Sequence, residues 1–118
     1  MGMFDSVSFV ALSSALDGLS LRQRTIAENV ANIQTPGYQA KRVSFEDALS
    51  RAVDNGSAAE AATVPTVARS LEPTREDGNN VNLDTETLLN VDTNLRYQLA
   101  TQAIDGTFSS IRTAMRTS

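Results

Sequence analysis

A chain of 118 residues suits one domain rather than two. It carries no Cys, His or Trp, which removes disulfides, thiol nucleophiles and the main ligands of zinc and other transition metals. Its net charge of −4 argues against a broad nucleic-acid footprint. A general base near neutral pH would have to be a perturbed carboxylate or the lone lysine, Lys41.

The first 35 residues contain no proline, and a helix is predicted from Ser6 to Asn32. Phe9, Leu12, Leu16, Leu19, Gln23, Ile26, Val30 and Ile33 recur in steps of three and four, a heptad stripe with one polar position. Asp5 or Ser6 can cap its first turn. The opposite face, with Asp17, Arg22, Arg24 and Glu28, reads as solvated charge. Val7 to Leu16 loosely resembles the apolar part of a secretory signal, but no basic residue precedes it. Met1-Gly2 with Ser6 fits the short myristoylation pattern, which we treat as a coincidence. No stretch approaches the ~20 apolar residues of a membrane-spanning helix.

Thr35-Pro36-Gly37 ends the helix, and Pro36-Gly37 suits the centre of a type II turn. Tyr38 follows, with its ring expected to fold onto apolar surface and its hydroxyl to stay hydrated. A short helix is predicted at 44–53, with Ser44 and Asp47 as a capping pair and Phe45, Ala48, Leu49, Ala52 and Val53 on one face. Asp54-Asn55-Gly56-Ser57 closes it. Residues 57–82 hold few large apolar groups, so this stretch reads as mobile, or as extended and held by partners; Thr63 to Val67 is a weak strand candidate.

Asp77-Gly78-Asn79-Asn80-Val81-Asn82-Leu83-Asp84 fails as a calcium loop, because its sixth and twelfth positions are Asn82 and Leu88 rather than Gly and Glu. It reads as a turn into a helix capped by Asn82, with Asp84 and Glu86 near the positive dipole end. The following helix carries two staggered stripes. Leu88, Val91, Leu95 and Leu99 form one, and Tyr97, Ala100, Ile104, Phe108, Ile111 and Met115 form the other. Such a helix can contact more than one neighbour, and Gly106 either admits another helix closely or is simply tolerated. Two long amphipathic helices and a weak middle make a thin core, which favours a chain completed by assembly. The fold expected is mostly α, with long N- and C-terminal helices pairing as an antiparallel coiled-coil-like layer. It divides into residues 1–35, an irregular 36–82 and residues 83–118.

Ala27-Glu28-Asn29-Val30-Ala31-Asn32-Ile33-Gln34-Thr35-Pro36-Gly37-Tyr38 resembles the signature A-x-N-[LIV]-A-N-x-x-T-P-G-[YF] of bacterial flagellar rod, hook and hook-associated proteins. Its marked positions are Ala27, Asn29, Val30, Ala31, Asn32, Thr35, Pro36, Gly37 and Tyr38, and all are present. Ala15–Leu19, Arg22-Gln23, Val43–Glu46, Asp77–Asp84 and Asn94–Gln98 also look like the proximal members of the flagellar basal-body rod family. The resemblance implies a structural subunit of the rod, with no enzyme activity and no cofactor. It implies helical assembly through a seam in which Phe9, Leu12, Leu16, Leu19, Ile26 and Val30 pack against Leu95, Leu99, Ile104, Phe108 and Ile111. Implied partners are further copies, other rod proteins, a FliE-type adaptor, the MS ring and the export gate. Implied too are type III export without a cleaved signal and a place in the rod, within the MS ring and periplasm.

Asn29 and Asn32 are then expected to cap the helix end, or to bond the Thr35-Pro36-Gly37 turn or a neighbour. A sister rod subunit with a longer middle is the second reading. A small cytoplasmic helical adaptor or chaperone is the third. An enzyme using Glu28 or Glu46 is disfavoured, because both lie on faces that read as solvated.

Overall fold

The computed structural model describes residues 3–116, apart from the side chains of 3–5 and 111. The Met1-Gly2 myristoylation pattern and the Ile111 side chain therefore lie outside the described residues. The elements are α1 (Met3–Ala31), β1 (Lys41–Ser44), α2 (Glu46–Asp54), α3 (Ala58–Ala61), β2 (Thr66–Arg69) and α4 (Leu83–Arg116).

Helices α1 and α4 run antiparallel along a molecule of 65 × 24 × 14 Å. Phe9 meets Phe108 edge to face at 5.4 Å at one end. Gln23 Nε2 donates to Asn94 Oδ1 at 2.8 Å midway, and Asn29 Nδ2 donates to Glu86 Oε2 at 3.1 Å at the other end. The polar position in the α1 stripe thus finds a polar partner across the helix pair, as a polar residue in a seam must. Elements α2, α3 and β1 cover the side of α1 that α4 leaves free.

The core is two small clusters. Val7, Ala11, Ala52 and Ala61 join α1 to α2 and α3. Leu19, Val43 and Phe45 join α1 to β1, with Tyr97 and Ala100 of α4 packed against them. Small residues let these elements approach closely, and Ser14 Oγ on α1 donates to Ala61 O at 2.6 Å. A Cβ on Gly18 would lie 2.5 Å from the Phe45 ring, so the absent side chain is what lets the ring lie on α1.

The inward face of α4 differs from the one expected. Glu86, Leu89, Thr93, Tyr97, Ala100 and Ile104 are buried or half-buried, whereas Leu88, Val91, Leu95 and Leu99 point outward. Leu95 and Leu99, 55% and 57% exposed, therefore do not pack on α1 within the subunit. Polar Thr93 tolerates the inner face because its Oγ1 donates to Leu89 O at 2.6 Å, within its own helix. Of the α1 stripe, Leu19 and Ile26 are buried, Phe9, Leu12 and Leu16 half-buried, and Val30 exposed. Among the described residues, nothing beyond its own stretch of helix lies within 4 Å of where a Cβ on Gly106 would stand.

Three further expectations change. Ser44 does not cap α2, because it is the last residue of β1, paired with Thr66; Phe45 stands at the cap position with no side-chain bond. Burying the Phe45 ring fixes the chain there instead. Residues 57–82 are built of intrachain contacts. Ser57 caps α3 by accepting from Glu60 N at 3.2 Å, and β2 pairs antiparallel with β1 in the register Lys41↔Arg69 to Ser44↔Thr66. Arg22 leaves the solvated face to lie 5.0 Å over the Phe45 ring.

Gly18→Ala should lower the stability of the purified chain by about 1–2 kcal/mol, the overpacking cost less the helix propensity gained. Urea unfolding measures it, and an unchanged midpoint would show that the ring has room to move.

Candidate functional site

The signature residues form the end of α1 and the turn behind it. Tyr38 N donates to Thr35 O at 3.2 Å, and Gly37 sits at φ 76°, so Pro36-Gly37 makes the type II turn that the sequence predicts. Asn32 serves the same turn. Its Nδ2 donates to Glu28 O at 2.8 Å, and its Oδ1 accepts from Thr35 Oγ1 at 3.1 Å. Ala27 and Ala31 are exposed.

Asn29 is fully buried and holds β1. Its Nδ2 donates to Lys41 O at 3.0 Å, and its Oδ1 accepts from Lys41 N at 3.0 Å. One amide thus satisfies both backbone groups of a strand residue, as a neighbouring strand would. Its second Nδ2 bond reaches Glu86, which is 0% exposed. Arg42 Nη1 donates to the other Glu86 oxygen at 2.7 Å. Glu86 therefore lies inside a bonded cluster as well as in the first turn of α4. The Tyr38 hydroxyl, expected in water, lies 3.4 Å from Asn29 Oδ1. Burial first, then Glu28 and Glu86, raises its pKa above the ordinary value.

The Asp77–Asp84 segment closes around the signature. Asn79 Nδ2 donates to the carbonyls of Asn32 at 2.9 Å, Ile33 at 3.2 Å and Thr35 at 2.8 Å. These include carbonyls that the end of α1 leaves without helical partners. Arg75 also donates to Ile33 O. Gly37 N donates to Asp77 O at 2.8 Å. Asn80 joins the two strands beyond their last pair: its Oδ1 accepts from Ala40 N at 2.6 Å, and its Nδ2 donates to Ser70 O at 3.2 Å. Asn82 caps α4, accepting from Asp84 N at 2.9 Å and Thr85 N at 3.2 Å, as the sequence predicts. Two motifs that are separate in the sequence form one clasp.

A second hub lies midway along α1. Arg22 Nη1 and Nη2 donate to Glu46 at 2.6 and 2.7 Å, and Nη2 also donates to Val43 O at 2.6 Å. Arg96 of α4 donates to the same carboxylate at 3.2 Å. Glu46 is thus a three-element junction and not a solvated charge. The Arg22 bond is the largest influence holding its carboxyl below the ordinary 4.5, with burial opposing. A groove of about 420 Å³ opens beside it, lined by Leu12, Ala15, Leu49, Val53 and Ala100. Among the described residues no group of three Asp or Glu side chains is placed to hold a metal ion, and no helix is long and apolar enough to cross a membrane.

The sequence flagged Asn29, Asn32 and the Pro-Gly turn, but not Arg42, Asn79 or Asn80 as their partners. The signal available was the adjacent pair of asparagines in a stretch without an apolar reason to be ordered. On the surface, Leu88, Val91, Leu95 and Leu99 line the outer side of α4, whereas half-exposed Phe108 lies on the side toward α1, against Phe9. Ile104 faces inward, half-buried.

Asn29→Ala should cost about 3 kcal/mol in urea unfolding, because it strips the Lys41 backbone and the buried Glu86 of partners at once. A loss below about 1 kcal/mol would mean that water replaces the amide. The Glu46 carboxyl titrates lower when folded. Its stabilisation is present above the ordinary pKa and is lost as the pH falls through the folded value. Urea midpoints should drop on acidification below about pH 4.5, and Glu46→Gln should flatten that drop.

A family model described as "Flagella basal body rod protein" matches residues 10–39, from α1 through the signature turn. The chain is similar to the flagellar basal body rod protein FlgB of Escherichia coli (strain K12), 32% identical over 78% of this chain and 80% of that one. It is similar to FlgB of Borrelia hermsii, 30% identical over 86% and 90%, and to FlgB of Bacillus subtilis (strain 168), 29% identical over 88% and 89%. On likeness of that extent, running through both the clasp and the helix pair, the chain belongs to the FlgB family of flagellar basal body rod proteins.

Proposed function

We propose that this chain is a structural subunit of the proximal rod that builds into the basal body through its two long helices. The observation that carries this reading is the outer stripe of α4, where Leu88, Val91, Leu95 and Leu99 stay exposed on an otherwise paired helix. Clustered apolar surface of this kind marks an interaction site. In this reading the stripe covers a different patch on its neighbour, and such a heterologous contact propagates as a helix instead of closing into a dimer.

In this reading residues 1–35 and 83–118 form the rod-core layer, and residues 36–82 brace it from the side. Phe9, Leu12, Leu16, Leu19, Ile26, Ile104 and Phe108 hold the pair together, and Val30, Leu95 and Leu99 join neighbours. The neighbours are further copies, other rod proteins, a FliE-type adaptor, the MS ring and the export gate. The subunit reaches the rod by type III export without a cleaved signal, and its work is mechanical rather than catalytic. Family membership and the amphipathic helices support each of these statements.

The double variant Leu95→Asp, Leu99→Asp tests it. Monomer stability should move by less than about 1 kcal/mol, because both side chains are already in water. Cells carrying it should lose rods and motility, and the variant should be missing from purified basal bodies. Normal motility with full incorporation would overturn the stripe as the assembly surface.

A further inference from the structure

The two-stranded sheet has two edges, and they are finished differently. With Ala40 facing Ser70, Ser70 N donates to Ala40 O at 2.7 Å, which fixes the alternation along the ladder. Arg42 with Ala68 and Ser44 with Thr66 are then the hydrogen-bonded pairs. Lys41 and Val43 turn their backbone groups to the outer edge of β1, and Val67 and Arg69 turn theirs to the outer edge of β2. The β1 edge is closed by α1. Asn29 bonds both Lys41 N and Lys41 O, and Arg22 bonds Val43 O. The β2 edge has no such cover. All four of its residues are exposed, and no described residue bonds the outward groups of Val67 or Arg69.

The same end of the sheet carries unbalanced charge. Lys41 and Arg69 are directly opposed in a non-hydrogen-bonded pair, the closer of the two spacings, at about 4.5 Å between Cα atoms. Like charges placed so are destabilising. Both residues are exposed, and neither forms an ion pair among the described residues, although Arg42 between them in the chain is paired with Glu86 and Glu72. An open edge wants backbone partners, and an opposed Lys–Arg pair wants a carboxylate.

We infer that the outer edge of β2 is a strand-addition site, which takes an extended, carboxylate-bearing segment of a different rod component beside Val67–Arg69. The partner's backbone bonds Val67 and Arg69, and its carboxylate neutralises the Lys41–Arg69 pair. A second β2 is not the occupant. Residues 62–71 of another copy hold no carboxylate to neutralise the pair, and antiparallel pairing of two copies would close as a two-fold dimer that cannot propagate. The inference rests on the rod-subunit reading for the source of its partner.

Val67→Pro tests it, because proline there removes an outward N–H and leaves the ladder to β1 intact, a substitution suited to an edge strand. Wild type, Val67→Pro and Arg69→Glu are expressed in cells lacking the native protein, and their content in purified basal bodies is measured. Wild type absent from basal bodies defeats the rod reading itself. With wild type present, both variants should fall by about tenfold or more, the factor for one lost hydrogen bond or charge contact, while as purified chains the thermal midpoint of Val67→Pro stays unchanged and that of Arg69→Glu does not fall, since the new carboxylate would face Lys41. Should Val67→Pro lower its own midpoint, Val67→Cys decides instead, since the chain has no other cysteine. Cross-linking from that thiol in assembled basal bodies should capture an extended acidic segment of another component. Full incorporation of Arg69→Glu, or no cross-link from Val67→Cys, overturns the inference.

Discussion

A carboxylate taken wholly out of water costs several kcal/mol unless charge and hydrogen bonds surround it. Glu86 is such a group, and the arrangement of the chain follows from satisfying it. Arg42 must come from β1 and Asn29 from α1, so the start of α4, the end of α1 and the first strand are fixed against one another. Asn29 then has an oxygen free for Lys41 N, which sets the position of β1. Once β1 is placed, β2 has a template, and Asn80 ties off their shared end. An apolar core this thin would not choose one orientation for α4 by itself. The buried polar cluster acts as the register device, the best-attested use of such groups.

That device explains which parts of the fold the sequence could reveal. Period and proline placement located α1 and α4, because both are local properties of one helix. The Pro36-Gly37 turn and the Asn82 cap were readable for the same reason, as each is decided within four residues. The inward face of α4 was not readable. Leu95 and Leu99 are the more apolar choice for it, but the Glu86 cluster rotates the helix so that Thr93 and Tyr97 face α1 instead. The information sits in a contact between residues 42 and 86. The ordering of residues 57–82 was hidden in a similar way. Amides of Asn79 and Asn80 supply what apolar burial does not, and a reading based on hydrophobicity counts them as loop. Arg22 and Glu46 each look like surface charge until α2 is folded onto α1.

The outcome is a division of labour along α4. Its inner face is half polar and specific to its own subunit, and its outer face is apolar and undirected. A subunit that folded by its most hydrophobic stripe would have nothing left with which to assemble. Assigning orientation to Glu86, Asn29 and Arg42 leaves the leucines exposed on the outer face. The signature residues of the rod family are, on this view, parts of the folding device: Asn29 binds a strand, Asn32 a turn, and Gly37 the loop at Asp77.

The two hubs answer differently to the medium. The Glu46 junction is partly open to water, with the carboxylate side chain 39% exposed and Arg96 51% exposed beside an Arg22 that is 14% exposed, so dissolved ions screen its outer part. The contacts of Asn79 and Asn80 are neutral amide-to-backbone bonds, and neither ionic strength nor protonation reaches them. A shift in the surrounding electrolyte therefore loosens the molecule near α2 before it loosens the end that carries the signature. The amide hydrogen bonds that tie the end of α1 to the start of α4 keep their strength whatever the ion content of the fluid around them.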